Sequence, residues 1–447
     1  MRNQIVILVA TILFSCSGAI AQEQWTLEAC IQTALENSLE IEQAIYKPNG
    51  VAWSEINVKQ AQHNRYPSLS ASSDLGLNFG RSINPVTNLF ETQSILSNGF
   101  GLNSSVVLFN GFRIANSLRQ AKVDLAASNE DVNQLKRDVA LAVANNYLGV
   151  LFADENLAIA QSQLEVSTEQ LAFTNKLIKA GSRPANEALD VEAQIATNEQ
   201  AVITAENSKT IALLNLKQQL RLENNVEIEV VKPSEIEVYS DVDVLTVEEV
   251  YSQAYQNQPS VRSAELNLKS AELGEKIAKA GLIPSLGAGG AVKSNYSRLP
   301  DPIPNDAYST QLDNNLSYGV GVSLNIPIYE NYANQLNLQK AKLGILSQKN
   351  IIAQVENALM VTVQQALTDA KAAKRKLTAP EKSVAAQLAA MDNAQKRYEL
   401  GSINSFEYVT IQNNAAQAQL NAVLAKYEYL FATKVLDFYM GKPLSLD

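Results

Sequence analysis

The sequence predicts a mainly α-helical protein with a membrane β-barrel portion, built from a duplicated helix–β-hairpin–helix unit. Three observations carry this. The chain repeats itself at a spacing of about 220 residues. Each copy holds two stretches with strict alternation of apolar and polar residues. Each copy also holds a Gly- and Pro-poor run of nearly 70 residues with a helical stripe.

The repeat is read directly. "WTLEACIQTALEN" from Trp25 pairs with "LTVEEVYSQAYQN" from Leu245, and "LFNGF" from Leu108 with "IYENY" from Ile328, both at a shift of 220. "AGSRPANEALD" from Ala180 pairs with "LGSINSFEYVT" from Leu400 at the same shift, whereas "YPSLSAS" from Tyr66 pairs with "IPSLGAG" from Ile283 at 217. The difference falls between Ala44 and Pro67, where "KPNG" (Lys47–Gly50) is the evident insertion and breaks the helical pattern.

The boundaries follow. Residues 1–21 form a signal peptide, with Arg2, an apolar core "IVILVATILF" and the small-x-small site "AIA" ending at Ala21. A competing reading takes "LFSC" as a lipoprotein box with Cys16 lipidated. Either way the protein leaves the cytoplasm. The first repeat spans 22–230, with strands at about 67–80 and 99–109, a long helix at about 112–179 and a return helix at about 185–221. A linker covers 231–245. The second repeat spans 246–447, with strands at about 284–297 and 316–329, a long helix at about 332–399 and a return helix at about 405–440.

The strand pattern is clearest in "LSYGVGVSLNIPIYE" (Leu316–Glu330). Tyr318, Val320, Val322 and Leu324 alternate with Ser317, Gly319, Gly321 and Ser323. One face is greasy and the other small and polar. Each of the four strand segments is long enough for a tilted membrane strand, and Phe79, Phe100, Tyr296 and Tyr318 are expected at the loop-side ends as an aromatic girdle. An ordinary soluble sheet would need a covering layer, and the helices are too long and too narrowly striped to supply one. Four strands cannot close a barrel, since the smallest have about eight. Three chains would supply twelve.

The helical runs carry steps of three and four: Leu118, Ala121, Leu125, Ser128, Val132, Leu135, Val139 and Ala142 in the first copy, and Leu338, Ala341, Ile345, Gln348, Ile352, Val355 and Leu359 in the second. Sustained heptads with many small residues argue coiled-coil packing with close axes. Nearly 70 residues span about 100 Å. Pro380 is expected to kink its helix.

Net charge −10 leaves no basic footprint for nucleic acid. No stretch beyond the leader is apolar enough for a transmembrane helix. The chain has one His, His63, expected as a polar rim residue, and two Cys. Cys30 lies in an amphipathic helix as a small hydrophobe. No metal spacing, phosphate loop, cofactor motif or nucleophile motif occurs, so no enzyme activity is expected.

Gly181 and Gly401 each end a long helix pattern and suit the left-handed stop that Gly takes there. Ser182 and Ser402 follow, and Glu187 and Glu407 each lie one turn into the returning helix.

The duplicated helix–hairpin–helix unit resembles the TolC family of outer membrane efflux and secretion proteins over nearly all of the mature chain. "GRSINPVTNLFETQ" (Gly80–Gln93) resembles the outer loop of Bacteroidota members, and "RYELGSINSFEYV" (Arg397–Val409) is similar to the family's tip turn. The resemblance implies a homotrimer: a 12-strand barrel in outer membrane lipid on a 12-helix coiled-coil tunnel in the periplasm. It also implies a periplasmic adaptor (membrane fusion) protein and an inner-membrane transporter, of RND or ABC type, docked at the tip. The duct is passive. The adaptor contact falls near Gly181, Ser182 and Arg183 and near Gly401, Ser402 and Ile403. The family's gate acid matches Glu187 and Glu407, where it helps constrict the pore, and its gate tyrosine matches Tyr398, whose partner is the acid aligned with Glu187. The family's second acid is Thr410 here, with Asp190 at the equivalent place in the first copy. The tip arginine is Ile403, with Arg183 in the other copy, which implies a latch wired differently. The competing class is a surface-anchored coiled-coil adhesin or stalk, against which the duplicated hairpins and return helices argue.

Overall fold

The computed structural model describes residues 24–83, 89–223, 225–232, 240–298 and 304–445. The signal peptide, Cys16, part of the Gly80–Gln93 loop and part of the 231–245 linker lie outside them. The described residues fall into two compact units. One comprises residues up to Gln43, Val132–Pro259 and Val355 onward; the other comprises Ala44–Asp131 and Ser260–Gln354.

The first repeat runs β1 (Gln24–Trp25), α1 (Leu27–Asn37), α2 (Leu39–Tyr46), α3 (Val51–His63), β2 (Ser68–Ile83), β3 (Phe90–Phe109), α4 (Arg113–Lys179) and α5 (Asn186–Leu220). After β4 (Glu229–Val230) and a 3-10 turn (Ser240–Asp243), the second runs α6 (Val247–Asn257), α7 (Pro259–Ala280), β5 (Ser285–Arg298), α8 (Tyr308–Asn314), β6 (Ser317–Asn325), α9 (Ala333–Glu399) and α10 (Ser405–Tyr439). The duplication is visible in length. α4 and α9 have 67 residues each, and α5 and α10 have 35 each. Equivalent threonines start equivalent helices: Thr26 Oγ1 accepts from Ala29 N–H, and Thr246 forms a capping box with Glu249. Lys47–Gly50 separates α2 from α3, and α9 continues through Pro380.

In the helical unit, α4 buries Val139, Val143, Tyr147, Val150 and Leu151. Of the expected stripe, Ala142 is exposed. A 3.6-residue helix drifts from a 3.5-residue repeat, so the buried line moves on to Val143. Tyr147 Oη shares its proton between the carbonyls of Trp25 (3.0 Å) and Val231 (2.7 Å), and this clips the parallel β1–β4 pair to α4. Asp154 is hydrogen-bonded by Lys209 (2.5 Å) and Lys232 (2.7 Å). Burial opposes its charge, but these bonds outweigh burial and hold the carboxyl below its usual range. Arg137 donates to the Phe438 carbonyl (2.7 Å) and stacks on its ring, which places a cation at the C-terminal end of α10. Cys30 is buried. Burial, aided by the charge of Glu28, pushes its thiol up to about 12, so it behaves as a hydrophobe. His63 is exposed and bonds the Lys59 carbonyl.

In the other unit the four strands form one antiparallel sheet in the order β2-β3-β5-β6. Leu75, Leu77, Phe79, Tyr318, Val322 and Leu324 stand exposed on the greasy face, and Val320 is 95% exposed. Among the described residues both outer edges, β2 and β6, are unpaired in the sheet. Three details differ from expectation. β3 starts at Phe90, not 99, because "SNG" (Ser97–Gly99) continues the ladder instead of turning; a Cβ on Gly99 would lie 2.6 Å from Asp74 Oδ1. Phe100 therefore sits inside the strand, opposite Ser73, and not at its loop-side end. β6 stops at Asn325 instead of 329, two residues before Pro327, which lacks the ladder donor. The third is α8, which the periodicity did not reveal. β5 pairs with β6 only as far as Lys293–Ser317 but continues to Arg298. Along that free stretch Gln311 Oε1 accepts from Ser297 N–H (3.0 Å), Asn315 Nδ2 donates to the Asn295 carbonyl (2.7 Å), and the Tyr296 and Tyr308 rings lie 4.8 Å apart. α8 covers an edge that would otherwise be open.

Both strand-to-helix turns hold two successive left-handed residues, Gly111–Phe112 and Asn331–Tyr332. Phe112 (φ 65°) and Tyr332 (φ 61°) are braced edge-to-face by Phe109 and Tyr329. All four of these aromatics are exposed, and alternation alone did not flag them.

Candidate functional site

The two turns between long and return helices lie in the helical unit. Each ends in a Schellman motif. Gly181 (φ 71°) donates to Ile178 and Ser182 to Leu177; Gly401 (φ 79°) donates to Tyr398 and Ser402 to Arg397. A Cβ at Gly401 would meet nothing within 4 Å, so the cost of Gly401→Ala is backbone strain alone, roughly 1–2 kcal/mol. Gly344 is equally open but lies inside α9, and there Gly→Ala stabilises by about 0.5–1 kcal/mol. Thermal unfolding of the extracted protein should move down for Gly401→Ala and up for Gly344→Ala; shifts of the same sign would contradict the φ assignment.

Arg183 ties the two turns together. Its Nη1 donates to Glu187 Oε1 (3.1 Å), and Nη2 donates to the carbonyls of Tyr398 (2.7 Å) and Ile403 (2.9 Å). Its guanidinium carbon lies 4.6 Å from the centre of the Tyr398 ring. The side chains of Arg183 and Glu187 are only 7% and 9% exposed. The Tyr398 carbonyl belongs to the last turn of α9, where the helix dipole favours a cation. Tyr398 Oη donates to Glu187 Oε2 (3.2 Å) and lies 2.9 Å from Thr174 Oγ1 on α4. An ionised carboxylate only accepts, so Thr174 is left to donate to Tyr398 or to the Gln170 carbonyl. Burial, reinforced by the Glu187 charge, raises the Tyr398 phenol above its ordinary value and keeps it a donor. Tyr398, Ile403, Tyr408 and Ala394 pack as one buried cluster, with Phe173 and Ile411 against it. Burial also raises the Tyr408 phenol. Ser405 Oγ donates to Asp190 Oδ2 (2.7 Å), a second link between α10 and α5.

The two equivalent glutamates thus differ. Glu187 is buried and ion-paired with Arg183. Glu407 is about half exposed and meets Arg397 at 3.4 Å. Its backbone N–H is capped by Asn404, whereas α5 starts without a side-chain cap. Thr410 is exposed and bonds the Phe406 carbonyl. Ile403, expected at an adaptor contact, is buried instead, because an apolar residue two past the Gly turns into the tyrosine cluster. Gly181, Ser182, Gly401 and Ser402 are exposed, and so are Leu400 (84%) and Phe406 (75%). Thr174, Arg397, Ser405 and Tyr408 were not singled out from sequence. No group of acidic, Cys or His residues suited to a metal occurs among the described residues.

An antiparallel sheet with a greasy face and two 67-residue helices ending in glycine turns, in one duplicated chain, are the parts of an outer membrane channel with a helical periplasmic tunnel. The family model "Outer membrane efflux protein" matches residues 30–220 and 250–442, one match per repeat, and the chain belongs to that family, which is a channel family and not an enzyme family. It is 22% identical to the pyoverdine export outer membrane protein OpmQ of Pseudomonas aeruginosa over 415 residues, covering 91% of this chain and 83% of OpmQ. It is 22% identical to the outer membrane protein TolC of Escherichia coli over 369 residues, covering 76% of this chain and 73% of TolC. The CmeC outer membrane channel of Campylobacter jejuni has the same fold, with a TM-score of 0.75 at 16% identity over 94% of this chain and 86% of CmeC.

Proposed function

We propose that the chain works as a homotrimeric, passive export duct whose periplasmic end is latched by Arg183, Glu187 and Tyr398. Three sheets supply twelve strands, their greasy faces meet lipid and their Ser/Gly/Asn faces line water. A periplasmic adaptor and an inner-membrane transporter of RND or ABC type deliver cargo to the turns. The observation that carries the gating reading is the buried knot around Arg183, which joins residues more than 200 positions apart. Opening must separate the two turns, and therefore must undo that knot. Adaptor contact falls to the exposed Gly181, Ser182, Gly401 and Ser402 with Leu400 and Phe406, while Ile403 stays inside in the latched state. Glu407, the half-exposed acid, is left to face the pore.

The test is ion selectivity in planar bilayers. Wild-type trimers should favour cations, and Glu407→Ala should reduce that preference. Unchanged selectivity would remove the acidic constriction from the reading. Absence of any conductance in wild type would favour a structural stalk.

A further inference from the structure

The residues that α8 touches show that it does more than close the edge of β5. The greasy face of β5 runs Leu286, Ala288, Gly290 and Val292, then continues as Ser294 and Tyr296. On β3 the same face runs Val106, Ser104, Leu102 and Phe100, then reaches Asn98, which stands opposite Tyr296. α8 lies on these outer positions. Ser294 Oγ donates to the Leu312 carbonyl (2.6 Å), Tyr308 Oη donates to Asn98 Oδ1 (2.5 Å), and the Tyr308 and Tyr296 rings are 4.8 Å apart. The helix thus covers the greasy face itself at the end of β5.

Its two sides differ in chemistry. Tyr308 and Gln311 reach the sheet, whereas Ser309, Thr310, Asp313 and Asn314 are exposed. An ionised aspartate among hydroxyl and amide groups is costly in hydrocarbon. The Asn98 amide would be costly there too, but its oxygen is met by Tyr308 and its nitrogen by the Asp74 carbonyl (2.8 Å). β5 enters from α7 and β6 leaves toward α9, so α8 lies at the end of the sheet away from those helices. In a channel whose helices are periplasmic, that is the outer end. Tyr296, Tyr308 and Tyr318 gather near this end, as aromatic residues do at a membrane interface. Barrel strands tilt, so a level boundary crosses the strands obliquely, and β2 stays apolar as far as Phe79.

We propose that α8 is an interfacial helix on the lipid-facing side of the sheet, with its polar side resting in the headgroup layer of the outer leaflet and marking the outer limit of the hydrocarbon band. This goes beyond the duct reading and rests on its placement of the greasy face in lipid.

Spin labels on the full chain test this. Thr310→Cys and Asp313→Cys report on α8, Val320→Cys on the centre of the greasy face and Ser182→Cys on a helix turn. Cys30 is buried and takes little label. Trimers are placed in vesicles of phosphatidylethanolamine and phosphatidylglycerol containing a nickel-chelating lipid. Headgroup nickel should broaden away most of the signal at Thr310→Cys and Asp313→Cys and leave Ser182→Cys intact. Dissolved oxygen should relax Val320→Cys more than either α8 label. An oxygen response at α8 equal to that of Val320→Cys would put the helix in hydrocarbon and overturn the proposal. α8 labels that respond to a water-soluble nickel chelate but not to headgroup nickel would stand clear of the membrane and overturn it too. In that second case, protection of the same cysteines from an impermeant maleimide on intact cells would point to a covering protein instead. A native mass of one subunit, or a Val320→Cys label that meets water, would overturn the duct reading itself.

Discussion

Arg183→Ala should leave a channel that no longer closes. Arg183 is shielded from water and serves one carboxylate oxygen and two carbonyls of the opposite turn, with its charge over the Tyr398 ring. Removing it strands Glu187 as a buried carboxylate with Tyr398 Oη as its remaining side-chain donor. Breaking a buried pair from one side costs about 3–5 kcal/mol. Charged to the latched state alone, about 3 kcal/mol moves the closed-to-open ratio on the order of a hundredfold. Single-channel recordings should show larger and more persistent conductance. Arg183→Lys should fall between, because an ammonium keeps the charge but lacks the planar fork. The double variant Arg183→Ala with Glu187→Ala should recover part of the loss, since no buried charge is left alone. Arg397→Ala is the contrast. Its pair with Glu407 is half exposed, and surface pairs are worth about 0–1 kcal/mol. Wild-type conductance from Arg183→Ala would end the latch reading.

Val320→Arg should abolish assembly in the outer membrane. Val320 stands at the centre of β6 on the greasy face. An arginine at the middle of the lipid-facing band costs about 2–4 kcal/mol in each subunit. Ser323→Arg, three residues on and on the opposite face, meets water and should assemble. The measurement is the heat-sensitive oligomer band in the outer membrane fraction. If Ser323→Arg failed and Val320→Arg assembled, the faces of the sheet would be reversed.

Much of the fold was legible in the chain. Glycine and proline placement marks the ends of α4 and α9, because Gly181 and Gly401 supply the left-handed stop and the two 67-residue helices hold few other breakers, Gly149 in α4 and Gly344 and Pro380 in α9. Alternation finds the strands wherever both faces keep their character, as in β6. It fails across "SNG", where local turn chemistry is overridden by a neighbour: the ladder to β2 holds Ser97–Gly99 extended. It also missed α8, a short polar helix whose position depends on side-chain bonds to a strand edge and not on any periodic face.

The site shows the same division. The sequence by itself determined that two copies of one turn exist, each with Gly, Ser and a glutamate six residues on. Those are local features, set by backbone conformation and spacing. It also determined that the sheet is two-faced, since a period of two is a property of the strand alone. Which glutamate is buried and which meets water was decided only by tertiary structure. Glu187 takes its character from Tyr398, Arg183 and the packing of Ile403 and Tyr408, and Glu407 from the lack of such a cover. Burial is a property of what packs around a side chain. Arg183 apart, those neighbours come from the other repeat, beyond the reach of any local pattern.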